Sequence, residues 1–563
     1  METISNKFLI KQLKLTVQLL ELHNHNPFKI RGYQNAVFQL ENAIAPIAGL
    51  DAENIQSTLN ISKTMAEKLH GVLESGTLDL LEELLAETPE GVLEMLQIKG
   101  IGPKKIRLIW QELGIDNTKA LSEACRSGRI ASLKGFGQKT EQKILDALAF
   151  ISRNKGRLFY AEAEPIVQSF LDAFRSRFPK IRIEIAGEFR RKMETVGHLI
   201  FLAAIEPNDQ ITEFLGNLDT LSHELEHSNP FIWRGAINGS GLNFECRFCP
   251  PERFVPEWFI QSSSDAHLFH KHRDSTLYAV AKSGNFQSEA EIYEKNELPF
   301  IEPELREGTF EFSEELPELI RIEDLKGSLH NHSTYSDGAN TLEEMALYCR
   351  DELGLEYLGI CDHSQSAFYA SGLKPETVLR QHEEIDRLNN KLAPFKILKG
   401  IESDILTDGS LDYEEDILKR FDFVVASVHS GLQMDEKKAT DRLLRAITNP
   451  YTTILGHMTG RILLRREGYP VNHKQIIDAC VKHNVVIEIN ANPHRLDIDW
   501  RWVHYALKKG AMLSINPDAH ETQGLRDMKY GVYTGRKGGL TKNRNLNSLS
   551  LQEIESFFQS KKS

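Results

Sequence analysis

The sequence predicts a multidomain chain with helical domains toward its N-terminal end and a barrel of seven strand-helix units at its C-terminal end. Three observations lead there. A length of 563 residues is enough for three to five domains. Apolar residues recur at helical spacing from Asn6 to Leu22 and in the stretches that follow, to about residue 85. From Ser328 to His520, short apolar runs alternate with amphipathic stretches, the pattern of a parallel sheet with helical crossovers.

Composition narrows the class. The chain is 41% hydrophobic and 26% charged, an ordinary globular balance. It has no run of eighteen apolar residues, and Met1-Glu2-Thr3-Ile4-Ser5-Asn6-Lys7 lacks the basic start and apolar core of a signal peptide. A cytoplasmic monomer without a membrane partner is expected. Six cysteines, at 125, 246, 249, 349, 361 and 480, make no disulfide framework for a chain of this size. Cys246-Arg247-Phe248-Cys249 is a CxxC without a second pair.

The first predicted domain, residues 1–85, reads as helices at Asn6–Leu22, Ala36–Ile44, Thr64–Glu74 and Leu78–Glu87. The second, residues 86–150, holds two related turns. Leu96-Gln97-Ile98-Lys99-Gly100-Ile101-Gly102-Pro103-Lys104-Lys105 opens one helix, and Leu133-Lys134-Gly135-Phe136-Gly137-Gln138-Lys139-Thr140 opens another. Both fit the helix-hairpin-helix motif, in which paired glycines let the backbone approach a phosphate that the amides at the helix start then bind, assisted by lysines. Lys99, Gly100, Gly102, Lys104, Lys105, Lys134, Gly135, Gly137 and Lys139 are therefore candidate DNA contacts. Charge agrees: the chain carries a net −13, yet residues 97–160 hold 13 Lys and Arg against 5 Asp and Glu. An acidic protein with one basic stretch makes a local, salt-sensitive contact with a polyanion.

In the C-terminal region the predicted strands are Ser328–His332, Tyr357–Cys361, Phe395–Gly400, Phe423–Val428, Thr453–Gly456, Val485–Ile489 and Met512–Asn516. Helical stretches lie between them, among them Thr341–Glu352, Glu376–Lys391, Lys437–Thr448 and His473–Lys482. Chemistry in such barrels sits at the C-terminal ends of the strands. There the sequence places His330, His332, Asp337, His363, Glu402, His429, His457, Asp518 and His520, nine side chains able to hold two or three ions. Two histidines one residue apart on a strand share a face and can grip one ion. Imidazole and carboxylate ligands without thiolate suit Mn²⁺, Zn²⁺ or Fe²⁺. Divalent ions clustered this way fit hydrolysis of a phosphate ester, because they acidify a water molecule and stabilise charge on phosphate oxygens.

The residues at these strand ends resemble a known family. His330-Asn331-His332 with Ser336-Asp337-Gly338, Asp362-His363, Gly400-Ile401-Glu402-Ser403-Asp404, Ser427-Val428-His429, Gly456-His457-Met458-Thr459-Gly460-Arg461, Asn490-Ala491-Asn492-Pro493 and Asp518-Ala519-His520 are similar to the PHP (polymerase and histidinol phosphatase) domain, in the form fused to bacterial family X DNA polymerases. The resemblance implies a (β/α)7 PHP barrel over residues 321–563 and a trinuclear phosphoesterase in which all nine ligand positions are filled. It makes Glu402 central to catalysis and Arg461 or Arg495 a phosphate contact.

It also extends upstream. Asn26-Pro27-Phe28-Lys29-Ile30-Arg31-Gly32-Tyr33 resembles the small N-terminal domain of family X polymerases, although Leu59-Asn60-Ile61-Ser62-Lys63-Thr64 lacks the glycines of that domain's hairpin. The second domain corresponds to fingers, and residues 151–240 and 241–320 look like a polymerase-beta-like palm and thumb, through Ala186-Gly187-Glu188-Phe189-Arg190-Arg191 and Glu302-Pro303-Glu304-Leu305-Arg306-Glu307. Active relatives carry two carboxylates one residue apart on the strand after this motif and a third on a later strand. Here His198-Leu199-Ile200 stands in place of the pair, and only the third position is filled, by Glu245. Glu188 replaces a serine that touches the nucleotide's phosphates. Mg²⁺ needs hard oxygen ligands that neither imidazole nor isoleucine supplies. A degenerate polymerase site made of Glu188, His198, Ile200 and Glu245 is expected.

Three function classes follow. The favoured one is a metal-dependent phosphoesterase acting on gapped, nicked or 3′-ended DNA in repair, as a 3′-5′ exonuclease, 3′-phosphatase or abasic-site endonuclease. The others are an active gap-filling polymerase with a PHP editing domain and a small-molecule phosphatase of the histidinol phosphate type. The basic hairpins weigh against the last, and the missing carboxylates against the polymerase.

Overall fold

The computed structural model describes residues 4–43, 45–98, 100–308, 310 and 315–562. The chain divides into two compact units, Met1–Lys155 and Gly156–Ser563.

In the first unit the described residues form nine helices: α1 (Asn6–Leu22), α2 (Pro27–Glu41), α3 (Ala52–Leu59), α4 (Lys63–Ser75), α5 (Asp79–Glu87), α6 (Glu90–Leu96), α7 (Pro103–Leu113), α8 (Thr118–Arg126) and α9 (Gln138–Asn154). α1 buries Leu9, Leu13, Thr16, Leu19 and Leu20, the helical stripe read from the sequence. The helix expected over Ala36–Ile44 is the second half of a longer one, because Asn26 caps α2 and Pro27 fills its first turn; Ile44 lies outside the described residues. One apolar core runs from Leu9 to Ile144, so the division expected near residue 85 falls within a single packed body. Where the related domain has hairpin glycines, Asn60 ends α3 at φ +48°, in the left-handed region that asparagine tolerates.

The second unit begins with α10 (Tyr160–Arg177) and a five-stranded sheet. Its strands are β1 (Ile183–Ile185), β2 (His198–Ala204), β3 (Leu221–His223), β4 (Ile232–Ile237) and β5 (Asn243–Cys249), in the spatial order β1-β2-β5-β4-β3. β2 and β5 run parallel, with His198 opposite Asn243 and Ile200 opposite Glu245. β5 is an interior strand, so the boundary expected at residue 240 cuts this sheet. Cys246 and Cys249, three residues apart on β5, join different apolar clusters, as strand alternation requires, and cannot converge on one ion.

Seven parallel strands follow: β6 (Gly327–Ser328), β7 (Tyr357–Ile360), β8 (Lys396–Asp404), β9 (Phe423–Ser427), β10 (Ile454–Leu455), β11 (Val486–Asn490) and β12 (Leu513–Asn516). Each pairs with the next in sequence, and a bridge from Asn331 to Ala519 brings the first and last segments together into a nearly closed barrel. Helices Pro375–Leu392, Glu436–Ile447, His473–Lys482 and Trp500–Lys508 pack outside the strands. The stretch expected as one helix over Thr341–Glu352 is an α-helix, Leu342–Leu347, continued by a π-helical turn, Tyr348–Glu352. Inside, Leu329, Tyr357, Phe423 and Val486 meet Leu546, Ile554 and Phe558, so the C-terminal segment plugs the barrel.

Two strand expectations change in ways that matter. The strand expected to reach His332 ends at Ser328, and His330 turns at φ +58°. Both histidines still face inward, with rings 5.5 Å apart, because a left-handed residue redirects the chain. β8 runs on past Gly400, which puts Glu402 inside the sheet.

The sheet and barrel of this unit share a seam. Leu496 and Tyr530 of the barrel join the sheet's aromatic core, and Phe159 meets His494 edge-on with centroids 4.4 Å apart. Glu194 accepts hydrogen bonds from Trp500 Nε1 and Arg501 Nη1, each at 2.9 Å. Interior packing is equally close at Gly400, where an added Cβ would lie 2.5 Å from Phe423 Cζ and 2.6 Å from the Ile360 carbonyl oxygen. Gly400→Ala is expected to cost about 1–3 kcal/mol by overpacking, read as a lower urea midpoint for this unit.

Candidate functional site

All nine candidate ligands converge at the C-terminal mouth of the barrel. They form four overlapping groups whose ligand atoms lie within 4.8 Å of one another: His332 with Asp337, His363 and His520; His330 with His332 and Asp518; His330 with Glu402 and His457; and His363 with Glu402 and His429. Glu402 is the hub. Its Oε1 lies 3.2 Å from His330 Nε2, 3.2 Å from His429 Nε2 and 3.0 Å from His457 Nε2, and its Oε2 lies 2.9 Å from His363 Nδ1. Asp518 Oδ1 is 3.2 Å from His332 Nε2, and Asp337 Oδ1 is 3.4 Å from His520 Nε2.

The donor set fits divalent ions. Buried polar atoms are normally hydrogen-bonded, yet His330 Nε2, His332 Nε2, His363 Nδ1 and Glu402 Oε2 are buried without such a partner. Burial would push the Glu402 carboxyl up, but His429, His330 and His363 outweigh it and hold the group well below its usual value. Burial would likewise raise Asp518, and His330 and His332 keep it well below the usual range. Ionised carboxylates thus stay at the centre of a buried imidazole ring, as hard ligands must.

The candidate ligands are themselves held. His330 Nδ1 bonds Glu488 Oε1 at 2.6 Å, the other Glu488 oxygen accepts from the His457 backbone N–H at 2.6 Å, and Asn516 Nδ2 donates to Oε1 at 2.9 Å. His429 Nδ1 bonds Asp404. Asp362 accepts from the Ser333 backbone and hydroxyl at 2.8 and 2.7 Å and so shapes the turn leading to Asp337. Glu488, Asp404 and Asp362 were visible in the sequence as polar residues in or after buried strands, which was the available signal of their supporting role.

A cavity of about 320 Å³ opens on the ligands, and Tyr369, Arg466 and Arg495 are among its lining residues. Arg495 Nε lies 3.7 Å from Asp518 Oδ2. Arg461, the other expected phosphate contact, is turned away: it donates to the Arg495 carbonyl at 2.9 Å and to Asp499 Oδ2 at 2.5 Å, and to the Leu496 carbonyl. It fastens the loop that carries Arg495, and Arg466 takes the place at the cavity that the sequence reading gave to Arg461.

The palm-like centre is arranged differently. Glu245 is clasped by Arg234 Nε at 2.8 Å and Arg247 Nε at 2.7 Å, with His198 Nε2 3.7 Å away. Burial would raise its carboxyl, and the two guanidinium groups keep it below the ordinary value. Ile200 packs against Gly187. Glu188 accepts the Gly197 backbone N–H at 2.7 Å and faces Arg157 at 3.2 Å. Arg190 forms a bidentate pair with Glu289 at 2.7 and 2.8 Å and lies 3.3 Å over Trp258. Among the described residues, the ligand groupings close enough for an ion all lie in the barrel.

In the first unit the two hairpins lie side by side, with Lys105 Nζ 5.1 Å from the Phe136 ring. Gly100 and Gly135 adopt φ +94° and +86°, and Gly102 and Gly137 stand at the N-caps of α7 and α9. Lys104, Lys134 and Lys139 are exposed beside them, and Lys105 is half-buried; Lys99 lies outside the described residues.

Comparison with known proteins matches both the hairpin region and the barrel. The profile of the SAM-like helix-hairpin-helix tandem matches residues 92–149, and that of the PHP domain matches residues 328–492. Fold and site together define a helix-hairpin-helix protein with a PHP metal centre. The chain is 34% identical to the DNA polymerase/3′-5′ exonuclease PolX of Bacillus subtilis (strain 168) over 98% of its own length and 99% of that protein. A probable phosphatase of Thermoanaerobacter sp. (strain X514) is 27% identical over 31% of this chain and 73% of its own, and one of Clostridium novyi (strain NT) is 30% identical over 29% and 63%. The chain belongs to the bacterial PolX family of family X DNA polymerases with a C-terminal PHP domain. No described helix is long and apolar enough to cross a membrane.

Because Glu488 orients His330, Glu488→Gln is expected to weaken Mn²⁺ or Zn²⁺ binding by about 10- to 100-fold with little loss of fold, measured by titration calorimetry and far-UV circular dichroism.

Proposed function

We propose that this chain is a metal-dependent phosphoesterase of DNA repair, working at the PHP barrel on 3′ ends or abasic sites, with a palm that holds its fold and has lost nucleotidyl transfer. The observation that carries this reading is the contrast between two carboxylates. Glu402 sits among imidazoles of which His330 Nε2, His332 Nε2 and His363 Nδ1 lack hydrogen-bond partners, whereas Glu245 is neutralised by two arginines.

Two or three ions of the Mn²⁺, Zn²⁺ or Fe²⁺ kind would be held by the overlapping groups His332, Asp337, His363 and His520; His330, His332 and Asp518; His330, Glu402 and His457; and His363, Glu402 and His429. Ions there would supply Lewis acidity toward a phosphate ester and acidify a water molecule. The chain's own residues do the rest. Arg466 and Arg495 present guanidinium donors from the cavity wall to non-bridging phosphate oxygens. Glu488 and Asp404 keep the ring nitrogens of His330 and His429 directed inward. Gly100 and Gly135 let the two hairpins approach the DNA backbone, and the lysines beside them add charge.

A second reading, a gap-filling polymerase with an editing domain, is favoured by the PolX relative, whose name includes DNA polymerase and which matches nearly the whole chain. The arrangement around Glu188, His198, Ile200 and Glu245 weighs against it. The relatives named as phosphatases cover about a third of this chain, and the hairpins favour a DNA substrate over a small one.

The test is Mn²⁺-dependent digestion of an end-labelled gapped duplex. Wild type should shorten or dephosphorylate the 3′ end, and His330→Ala/His332→Ala should lower the rate by roughly a thousandfold or more. With dNTPs present no extension should appear; growth of the primer would restore the polymerase reading. Gly100→Val with Gly135→Val forces a β-branched residue into left-handed backbone, and should reduce low-salt DNA affinity by about tenfold or more in an anisotropy titration.

A further inference from the structure

Two consecutive aromatic side chains, the second of which lines the barrel cavity, stand in solvent. Phe368 is 89% exposed and Tyr369 is 70% exposed. They are consecutive residues of a single 3₁₀ turn, Phe368–Ala370, in the loop between β7 and the helix Pro375–Leu392. Tyr369 also lines the cavity, with its ring 6.1 Å from that of His363 and 6.5 Å from that of His429.

This exposure does not come from a slack loop. Ser364 and Leu373 are bridged at its base, and the Leu373 N–H donates to the His363 carbonyl at 2.8 Å. Ser366 donates from its backbone to Asp412 Oδ2 at 2.7 Å and from its hydroxyl to Asp404 Oδ2 at 2.9 Å. Asp404 is the carboxylate that also holds His429. Ala367 and Ala370, on either side of the two rings, are fully buried, and Ser371 closes the turn at φ +57°. The loop therefore buries its small residues, fastens itself to a ligand's support and leaves the two rings outside. Keeping two large apolar rings in water beside a charged cavity favours a function for them over core packing.

We propose that Phe368 and Tyr369 form a stacking platform for the unpaired nucleobases at a single-stranded DNA 3′ end, which feeds the terminal phosphodiester to the metal centre. The inference rests on the phosphoesterase reading of the same site and names the side chains that would hold the strand's bases. Arg466 and Arg495 line the same cavity as Tyr369, so the opening offers both a surface a base stacks on and the cations its phosphate needs. Successive residues of a 3₁₀ turn project about 120° apart, since such a helix has roughly three residues per turn. The two rings thus cannot sandwich one base. Tyr369, at the cavity, takes the terminal base, and Phe368 takes the one before it. Bases stacked inside a duplex are unavailable to either ring, so the platform selects frayed or single-stranded ends.

The experiment uses the full chain with Mn²⁺ and two single-stranded oligonucleotides, one ordinary and one whose 3′-terminal nucleotide is an abasic tetrahydrofuran. Tyr369→Ala should raise KM for the ordinary strand by about tenfold, the worth of one base-aromatic stack, with kcat nearly unchanged. It should leave KM for the abasic terminus unaltered, and Tyr369→Phe should behave as wild type. Phe368→Ala should raise KM by a similar factor for both strands, since both keep their penultimate base. Equal loss on the two strands with Tyr369→Ala, or no loss with either alanine variant, overturns the platform. Failure of wild type to digest any DNA would overturn the phosphoesterase reading instead. In that case the anisotropy of a fluorescent trinucleotide, with and without its terminal base, still reads the platform, and equal affinities for the two would sink it.

Discussion

The structure depends on a buried carboxylate that can afford to be ionised. Glu402 is almost wholly withdrawn from solvent, yet the imidazoles of His429, His330 and His363 oppose the cost of its charge. Removing an isolated carboxylate from water costs several kcal/mol or more, so such a group persists only where opposite charge or coordination compensates it. The seven strands make that compensation geometric. Each delivers a candidate ligand or its support to one end of the barrel, and the plug formed by Leu546, Ile554 and Phe558 closes the other.

The same unit contains a counter-example. Glu245 is also buried, but its charge is met by Arg234 and Arg247 on the sheet itself, and so needs no cation. Two buried carboxylates in one folded body therefore settle the same electrostatic problem by opposite means. One leaves donor atoms open, and the other closes them with guanidinium groups.

Much of this was legible in the sequence. Seven apolar runs ending in ligand-type residues set out the barrel and the nine side chains that gather at its mouth, because strand period and strand-end chemistry are local properties. What escaped was whatever depends on a side chain's direction after the backbone turns. His330 lies beyond its strand in a left-handed conformation, Glu402 lies within one, and Arg461 is drawn off by Asp499 while Arg466 reaches the cavity. Asn60 makes a turn where the related domain has glycine, and only the backbone reveals its φ of +48°. Tyr369 had no signal in spacing or composition; its exposure beside the cavity is a property of the folded loop.

The seam between sheet and barrel bears on how such a chain changes over generations. Leu496 and Tyr530 are barrel residues whose apolar surface is covered by the sheet, and Leu496 adjoins the loop that carries Arg495. A gene that discarded the sheet would leave those side chains in water and that loop without a wall. Selection acting on the barrel alone would thus preserve the sheet's framework, while leaving the residues around Glu245 free to drift.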